Sequence, residues 1–374
     1  MKKMTASEIR DFNQSQIYKL IYQSGRISRQ DIADRLQLSM PTISQNLKQL
    51  EEKHLIERNG MFQSTGGRKS VAYTCVSNAR IAIGTQITEN HVRIAAIDLF
   101  GKIIKREHHE LKYSNHSAYY EKFGEMVNIF CRSLNLSGQR ILGIGIAIKG
   151  LLSADRTTVT QSVRLGSAGA TLSDFAAHLD HPCSLVHDAE AAAEAEIWFS
   201  PQTDNALYVS LNYDLGGALI MHGQIHRGKE YRGGLIEHMI LFPNGRKCYC
   251  GNYGCVSGYC SARVLLSETF PSYEVFFTKL RSGNAEAEKQ WTEYLKNLSL
   301  ALNSMHMMLD CDIILGGNIA GYLTVDDLRL LQAEIRSQSV FSPVSDFIRI
   351  GHTEIDVFSC GAALPYIRNF LANC

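Results

Sequence analysis

Three cysteines within eight residues, Cys248-Tyr-Cys250-Gly-Asn-Tyr-Gly-Cys255, constrain this chain more tightly than any other segment. Thiols so close in sequence can converge only if the loop folds back on itself, and Gly251 and Gly254 permit that. The spacing suits a four-coordinate zinc ion. His238, upstream of the loop, supplies the fourth donor, with Cys260 as the competing candidate. The resulting Cys₃His tetrahedron, with Zn–S near ~2.3 Å and Zn–N near ~2.0 Å, leaves no position for water. Such a zinc is structural, not hydrolytic. The bland alternative is a set of buried free thiols. Cys75, Cys131, Cys183, Cys311, Cys360 and Cys374 show no ligand spacing and are expected to be core or terminal thiols.

A length of 374 residues with 45 % hydrophobic content predicts two or three domains with real cores. The longest apolar run, Ile141–Ile148, is broken by glycine and falls far short of the ~20 residues of a membrane span. The first residues lack the apolar stretch of a signal peptide, so a cytoplasmic protein with no membrane partner is expected. Thiols there serve as buried groups or metal ligands more often than as disulfides.

Charge divides the chain. Residues 1–74 hold 12 Lys and Arg against 7 Asp and Glu; the remainder holds 26 against 30. A balance of +5 sits beside one of −4, within a total of +1. A basic first segment on a mildly acidic body suits a nucleic-acid-binding head.

The pattern inside that segment predicts a winged helix-turn-helix. Ile9, Phe12, Ile17, Leu20 and Ile21 give a first helix its apolar stripe, closed by Gly25. Ser28 caps a short second helix carrying Ile32, Ala33 and Leu36, and Leu38-Ser39 makes the turn. Pro41 fits the first turn of a third helix, where a missing N–H is harmless. There Ile43, Leu47 and Leu50 share one face, while Ser44, Gln45 and Lys48 point away with Thr42 and Gln49 at the margins. Such side chains reach base edges and phosphates in a major groove. Leu55–Arg58, an Asn59-Gly60 turn, Met61–Gln63 and Val71–Tyr73 then predict a β-hairpin wing bearing Ser64-Thr-Gly66-Gly67-Arg68-Lys69. Candidate contacts to a double-stranded operator are therefore Ser39, Thr42, Ser44, Gln45, Lys48, Gly66, Gly67 and Arg68, with Arg68 suited to a phosphate or the minor groove.

The rest alternates apolar β-branched runs with helices and predicts layered α/β lobes. Ile81–Gly84, Val92–Asp98, Lys102–Lys105, Arg140–Ile148, Leu185–Val186, Leu207–Leu211, Ala218–Met221 and Ile313–Leu315 read as strands. Helices are expected over Ser117–Leu134, Asp188–Trp198 and Ala285–Leu309. No internal repeat of 20–50 residues is visible.

Taken together, the winged helix, the Gly-Gly-Arg wing and the His…Cys-x-Cys-x₄-Cys loop resemble the ROK family (repressors, open reading frames, sugar kinases), specifically its transcriptional regulators. The resemblance extends through Gly143-Ile-Gly145, Val186-His-Asp188-Ala-Glu-Ala and His226-Arg-Gly228 to Ile313-Ile-Leu-Gly-Gly317. It implies an α/β fold: an N-terminal winged helix-turn-helix plus a two-lobed, actin-like (ribonuclease H-like) body. The expected division is 1–75 for the head, 76–190 for a small lobe joined by a C-terminal helix over 361–374, and 191–360 for a large lobe with the zinc loop. It further implies a homodimer or homotetramer, a sugar effector between the lobes, and the zinc ligands His238, Cys248, Cys250 and Cys255.

Departures from the family's kinases point away from catalysis. Their Asp-x-Gly-Gly-Thr phosphate loop is here Gly84-Thr-Gln86-Ile-Thr88-Glu, which loses an Mg²⁺-holding carboxylate and a glycine. The second phosphate loop is Asn212-Tyr-Asp214-Leu-Gly216-Gly217, where the carboxylate of Asp214 repels phosphates. Asp188 stands at the general-base position, but a base without a phosphoryl donor catalyses nothing. No ATP or Mg²⁺ is expected, and the alternative is an active ATP-dependent carbohydrate kinase with a regulatory head. The family's sugar-binding Asn-Asp pair is His187-Asp188, and its two glutamate positions hold Leu235 and Ser257. An unmodified hexose should bind poorly, and Glu237 reads as an exposed loop carboxylate. Arg164, His187 and Asp188 are the candidate effector contacts, with Arg164 and His187 favouring an anionic sugar derivative. The expected function is a DNA-binding transcriptional repressor with a degenerate sugar-kinase-like domain.

Overall fold

The computed structural model describes residues 5–63, 70–136, 140–340, 346–352 and 356–374. Helix α1 (Ala6–Ser24) starts from a capping box between Thr5 and Glu8 and stops at Gly25. Strand β1 (Ile27–Ser28) leads into α2 (Arg29–Leu36), capped by Ser28 with Asp31. Ser39 caps α3 (Met40–Glu52), with Pro41 in its first turn. Strands β2 (Ile56–Met61) and β3 (Val71–Cys75) pair antiparallel, and β1 adds to the far edge of β3. Ile17, Ile21, Ile32, Ile43 and Leu50 are completely buried among these elements, each contributing roughly 1.5–3 kcal/mol.

Two expectations for the head need correction. Ile9 and Phe12 are about half exposed, because the N-terminal turns of α1 run past the small head core. Asn59-Gly60 is not a hairpin turn: β2 continues through it, and the register slips between Arg58 and Met61 as a bulge. The wing residues Gly66, Gly67 and Arg68 lie outside the described residues.

The body begins with β4 (Ile81–Ile87), β5 (His91–Ile97) and β6 (Ile103–Glu110), then α4 (Ser117–Ser133) and β7 (Ile141–Ile148). A small hairpin of β8 (Leu151–Leu152) and β9 (Val159–Gln161) and helix α5 (Leu172–Ala176) precede β10 (Cys183–His187). The five long strands form a sheet ordered β10-β7-β4-β5-β6, parallel except across β4-β5 and β5-β6. Helix α6 (Asp188–Phe199) follows.

A second sheet then repeats this plan. It uses β11 (Ala206–Ser210), β12 (Gly216–Met221) and β13 (Gln224–His226). Past α7 (Ser257–Cys260), α8 (Tyr273–Arg281) and α9 (Ala285–Leu309) come β14 (Asp312–Gly316), α10 (Val325–Gln338) and β15 (Ile348–Ile350). The order β13-β12-β11-β14-β15 has the same pattern of directions. This repeat is one of topology, at a spacing too long to appear as a 20–50-residue sequence period.

Helix α11 (Val357–Asn373) returns the chain to the first sheet and lies against β4, β7 and α6. Glycines allow backbone-to-backbone approach there. A Cβ on Gly145 would stand 1.8 Å from the carbonyl oxygen of Ala362, and one on Gly361 would stand 1.6 Å from that of Ala191. One apolar core runs unbroken from Ile17 and Tyr18 in the head through Ala82 and Ala95 to Leu364 and Ile367 in α11. Among the described residues no helix is long and apolar enough to cross a membrane.

Candidate functional site

Three constellations carry chemistry. On the head, α3 buries Ile43, Asn46, Leu47 and Leu50 and turns Gln45 and Lys48 outward. Lys48 is 77 % exposed and makes a long 3.9 Å contact to Glu52, so its charge is available to a phosphate. The other expected contacts are partly engaged. Ser39 Oγ and Thr42 Oγ1 lie 2.8 Å apart at the start of α3, and the Ser44 hydroxyl donates to the carbonyl of Met40 at 2.8 Å. Arg29, which the sequence did not single out, donates to Ser44 Oγ at 3.2 Å and adds a cation beside the recognition face. Its place at the start of α2 was visible; its proximity to α3 was not.

In the large lobe, one ligand atom each of His238, Cys248, Cys250 and Cys255 lies within 4.8 Å of the others. Cys248 Sγ is 3.8 Å from His238 Nδ1, and Cys250 Sγ is 3.7 Å from Cys255 Sγ. A tetrahedral ion with ~2.3 Å bonds to sulfur separates its sulfurs by about 3.8 Å, so the donor set fits a metal and excludes a disulfide. Burial lowers the His238 pKa, favouring the neutral imidazole that a metal needs. Burial and the two neighbouring thiols push Cys255 up to about 12. Burial also acts on Cys250, but hydrogen bonding from the Asn252 amide and from the Cys248 and Cys255 thiols outweighs it and lowers the pKa. Cys260 is completely buried, and its carbonyl accepts from Tyr294; it is not part of the cluster.

Between the two sheets lies a cavity of about 130 Å³, lined among others by Lys149, Arg164, His187, Asp188, Asp214, Glu237 and Tyr249. It brings together all three expected effector contacts, Arg164, His187 and Asp188. Asp188 opens α6, and its Oδ1 accepts from the Ala189 amide at 2.8 Å, with His187 Nε2 at 3.5 Å. Tyr249 stands between Cys248 and Cys250 in sequence, packs its ring 5.2 Å from His238 and lies under the Arg164 guanidinium at 5.7 Å. The thiol loop therefore builds one wall of the cleft.

Two charge expectations fail here. Asp214 is not a free repulsive carboxylate: Lys149 Nζ reaches it at 3.0 Å and Arg164 Nε at 3.1 Å. Arg164 is consequently held by Asp214 and is not a free cation in the cleft. Glu237 is not an exposed loop carboxylate. It is 8 % exposed on the turn Ile236–His238, because that turn is drawn inward to present His238 to the thiols. Burial pushes its pKa up to about 7. Lys149, absent from the expected contacts, directly follows β7, at the edge of the recognised Gly143–Ile148 run.

A second cavity adjoins the first through Lys149, Arg164, Asp188 and Asp214 and reaches Gln86, Thr88, Asn212 and Asn318. Asn212 Oδ1 accepts from the Asn318 amide at 2.7 Å. At Gly317, with φ +86°, a Cβ would meet the Leu211 amide at 2.8 Å, so the glycine pair closes a strand-to-helix turn.

A winged helix-turn-helix joined to a duplicated, two-sheet kinase-like body defines a regulator-type architecture. The chain matches the ROK family over residues 82–340 and a winged helix-turn-helix DNA-binding domain over residues 11–57. It belongs to the ROK family. It is 27 % identical over 260 residues to the xylose repressor of Bacillus spizizenii, covering 69 % of this chain and 68 % of that protein. Coverage falls to 62 % of the length of another curated relative, the Escherichia coli regulator NagC. Among solved structures, a ROK family transcriptional regulator homologous to the E. coli MLC protein superposes with a TM-score of 0.76 at 21 % identity, covering 98 % of this chain and 97 % of that one. The ROK hexokinase of Thermus thermophilus superposes with a TM-score of 0.62 at 20 % identity, covering 76 % and 97 %. The body fold is thus shared with regulators and kinases alike.

Proposed function

We infer that the protein is a DNA-binding transcriptional regulator, acting as a repressor, whose sugar-kinase-like body is catalytically inactive and binds a small sugar-derived effector between its lobes. The observation that carries this reading is α3, which turns Gln45 and Lys48 outward from a packed three-helix head. Support comes from the phosphate side of the cleft, where Lys149 and Arg164 are both paired with Asp214. The xylose repressor relationship agrees with a sugar-responsive regulator. The working division is a head over 1–75, a small lobe over 76–190 completed by 361–374, and a large lobe over 191–360. Zinc held by His238, Cys248, Cys250 and Cys255 would brace the large-lobe wall of the cleft. A cytoplasmic homodimer or homotetramer would present paired heads to a two-fold operator.

Ser39, Thr42, Ser44, Gln45 and Lys48 would meet the major groove, and Gly66, Gly67 and Arg68 the backbone or minor groove. Operator sequences selected from a random duplex pool, followed by footprinting and salt titration, test this. Gln45→Ala should change the preferred bases. Lys48→Ala should weaken binding across all sequences and reduce the salt slope by about one unit. Footprints and salt slopes unchanged by both substitutions would refute the docking assignment.

A further inference from the structure

Within the cleft, Glu237 has an anomalous environment. Its Oε2 is buried and has no hydrogen-bond partner among the described residues. The turn that carries it is fixed at both ends. On one side Gly234 lies so close to β12 that a Cβ there would stand 2.7 Å from the Cα of Ala218. On the other side His238 joins the thiol cluster. The backbone that carries Glu237 is therefore held in the wall of the cleft. A buried carboxylate oxygen without a donor is unfavourable by a few kcal/mol, and the cavity it lines is where a donor can arrive.

Charge in the same cavity narrows the kind of donor. Asp188, Asp214 and Glu237 face Lys149 and Arg164, and both cations are already bound to Asp214. An incoming anion would find neither cation free and would approach a carboxylate with no partner. A hydroxyl or an ammonium group would meet an acceptor that lacks one.

We propose that Glu237 is the specificity-determining residue of this cleft: its carboxylate accepts a hydrogen bond from a hydroxyl or ammonium group of an uncharged or amine-bearing sugar, and the surrounding charge arrangement excludes sugar acids and sugar phosphates. This rests on the cleft being the effector site. It also replaces the expectation of an anionic ligand. The carboxylate approaches from position 237, whereas the residues at the positions where ROK proteins were expected to carry glutamates are Leu235 and Ser257.

Calorimetry on the full, metal-loaded chain tests the assignment. The probes are D-xylose, D-glucose, N-acetyl-D-glucosamine and D-glucosamine against D-gluconate, D-glucuronate and glucose 6-phosphate. At least one of the first four should bind, at least about tenfold more tightly than any of the three anions. Glu237→Gln should weaken that binding about 10- to 100-fold, the range for a hydrogen bond to a charged group. Asp214→Asn should release Lys149 and Arg164 and shift the anion-to-neutral affinity ratio about tenfold toward the anions. Metal content is measured on each variant; if Glu237→Gln loses its metal, the Asp214→Asn ratio decides. Tighter binding of an anion to the wild type, no binding by any of the first four probes, equal binding by metal-loaded Glu237→Gln, or an unmoved ratio in Asp214→Asn would each overturn the proposal. A sugar that binds as expected but leaves operator affinity unchanged would count against the regulator reading and leave Glu237 in place.

Discussion

The joint between head and body can be weakened at one residue. Tyr22, near the end of α1, stacks on Phe100 with ring centroids 4.7 Å apart and planes 7° from parallel. Its hydroxyl donates to the carbonyl of Leu99 at 2.8 Å. The Phe100 turn is itself held by Trp198, whose Nε1 donates to the Phe100 carbonyl at 3.0 Å. A stacked aromatic pair contributes about 0.5–1.5 kcal/mol and a hydrogen bond of this kind another 0.5–1.5 kcal/mol or so. Tyr22→Ala should therefore weaken the docked head by about 1–3 kcal/mol, or roughly 5- to 150-fold in the docked-to-undocked ratio. Tyr22→Phe removes the hydrogen bond alone and should account for half of that energy or less. Hydrogen exchange resolved by peptide reads the effect directly. In Tyr22→Ala the amides of α1 should exchange faster by about the stated factor, while β4 and β7 keep wild-type protection. The argument fails if α1 stays as protected as in the wild type, or if the body loses protection to the same extent as the head.

Two further outcomes follow from the sites. Metal analysis of purified protein should find about one zinc per chain; Cys250→Ser or a strong chelator should remove it and lower the melting temperature, because the binding energy of a structural zinc is folding energy. Much less than one zinc per wild-type chain would refute the centre. In a coupled assay with Mg-ATP and the neutral sugars named above, no turnover is expected from Gln86, Thr88 and the paired Asp214; a rate within the usual kinase range of about 1–100 s⁻¹ would restore catalysis to the cleft.

Local signals in the sequence proved most reliable where one short stretch determines its own geometry. Ser28 as a cap and Pro41 in a first turn mark helix starts that the structure reproduces, and Ala285–Leu309 has the expected bounds. The thiol loop converges on His238 because its ligands sit on a short turn and a tight loop. What failed depended on distant partners. Asp214 looked repulsive because Lys149 and Arg164 are 65 and 50 residues away in the chain. Glu237 looked solvated because no local pattern reveals that its turn is drawn inward beside the thiol cluster. Ile9 and Phe12 follow a helical stripe that outruns the small core beneath it. The expected C-terminal helix begins at Val357, not 361, and its packing depends on glycines at 145 and 361, far apart in sequence.

The ion triad also joins the two halves of the kinase-like body across the cleft. Lys149 and Arg164 belong to the segments that follow β7 and β9, on the side of the first sheet. Asp214 belongs to the loop between β11 and β12, in the second sheet. Their contacts at 3.0 and 3.1 Å therefore cross the cleft and tie the lobes together with side chains of the protein itself. Asp214 is largely buried while Lys149 and Arg164 are about a third exposed, so the attraction is screened somewhat less than at a free surface. An anionic phosphate group arriving there would have to displace Asp214 from both cations before gaining either. The carboxylate of Asp214 is thus more than an added charge in that loop. It supplies an internal bridge across that cleft, at one end of α6; the other end of the helix, at Trp198, holds the Phe100 turn on which the head is stacked.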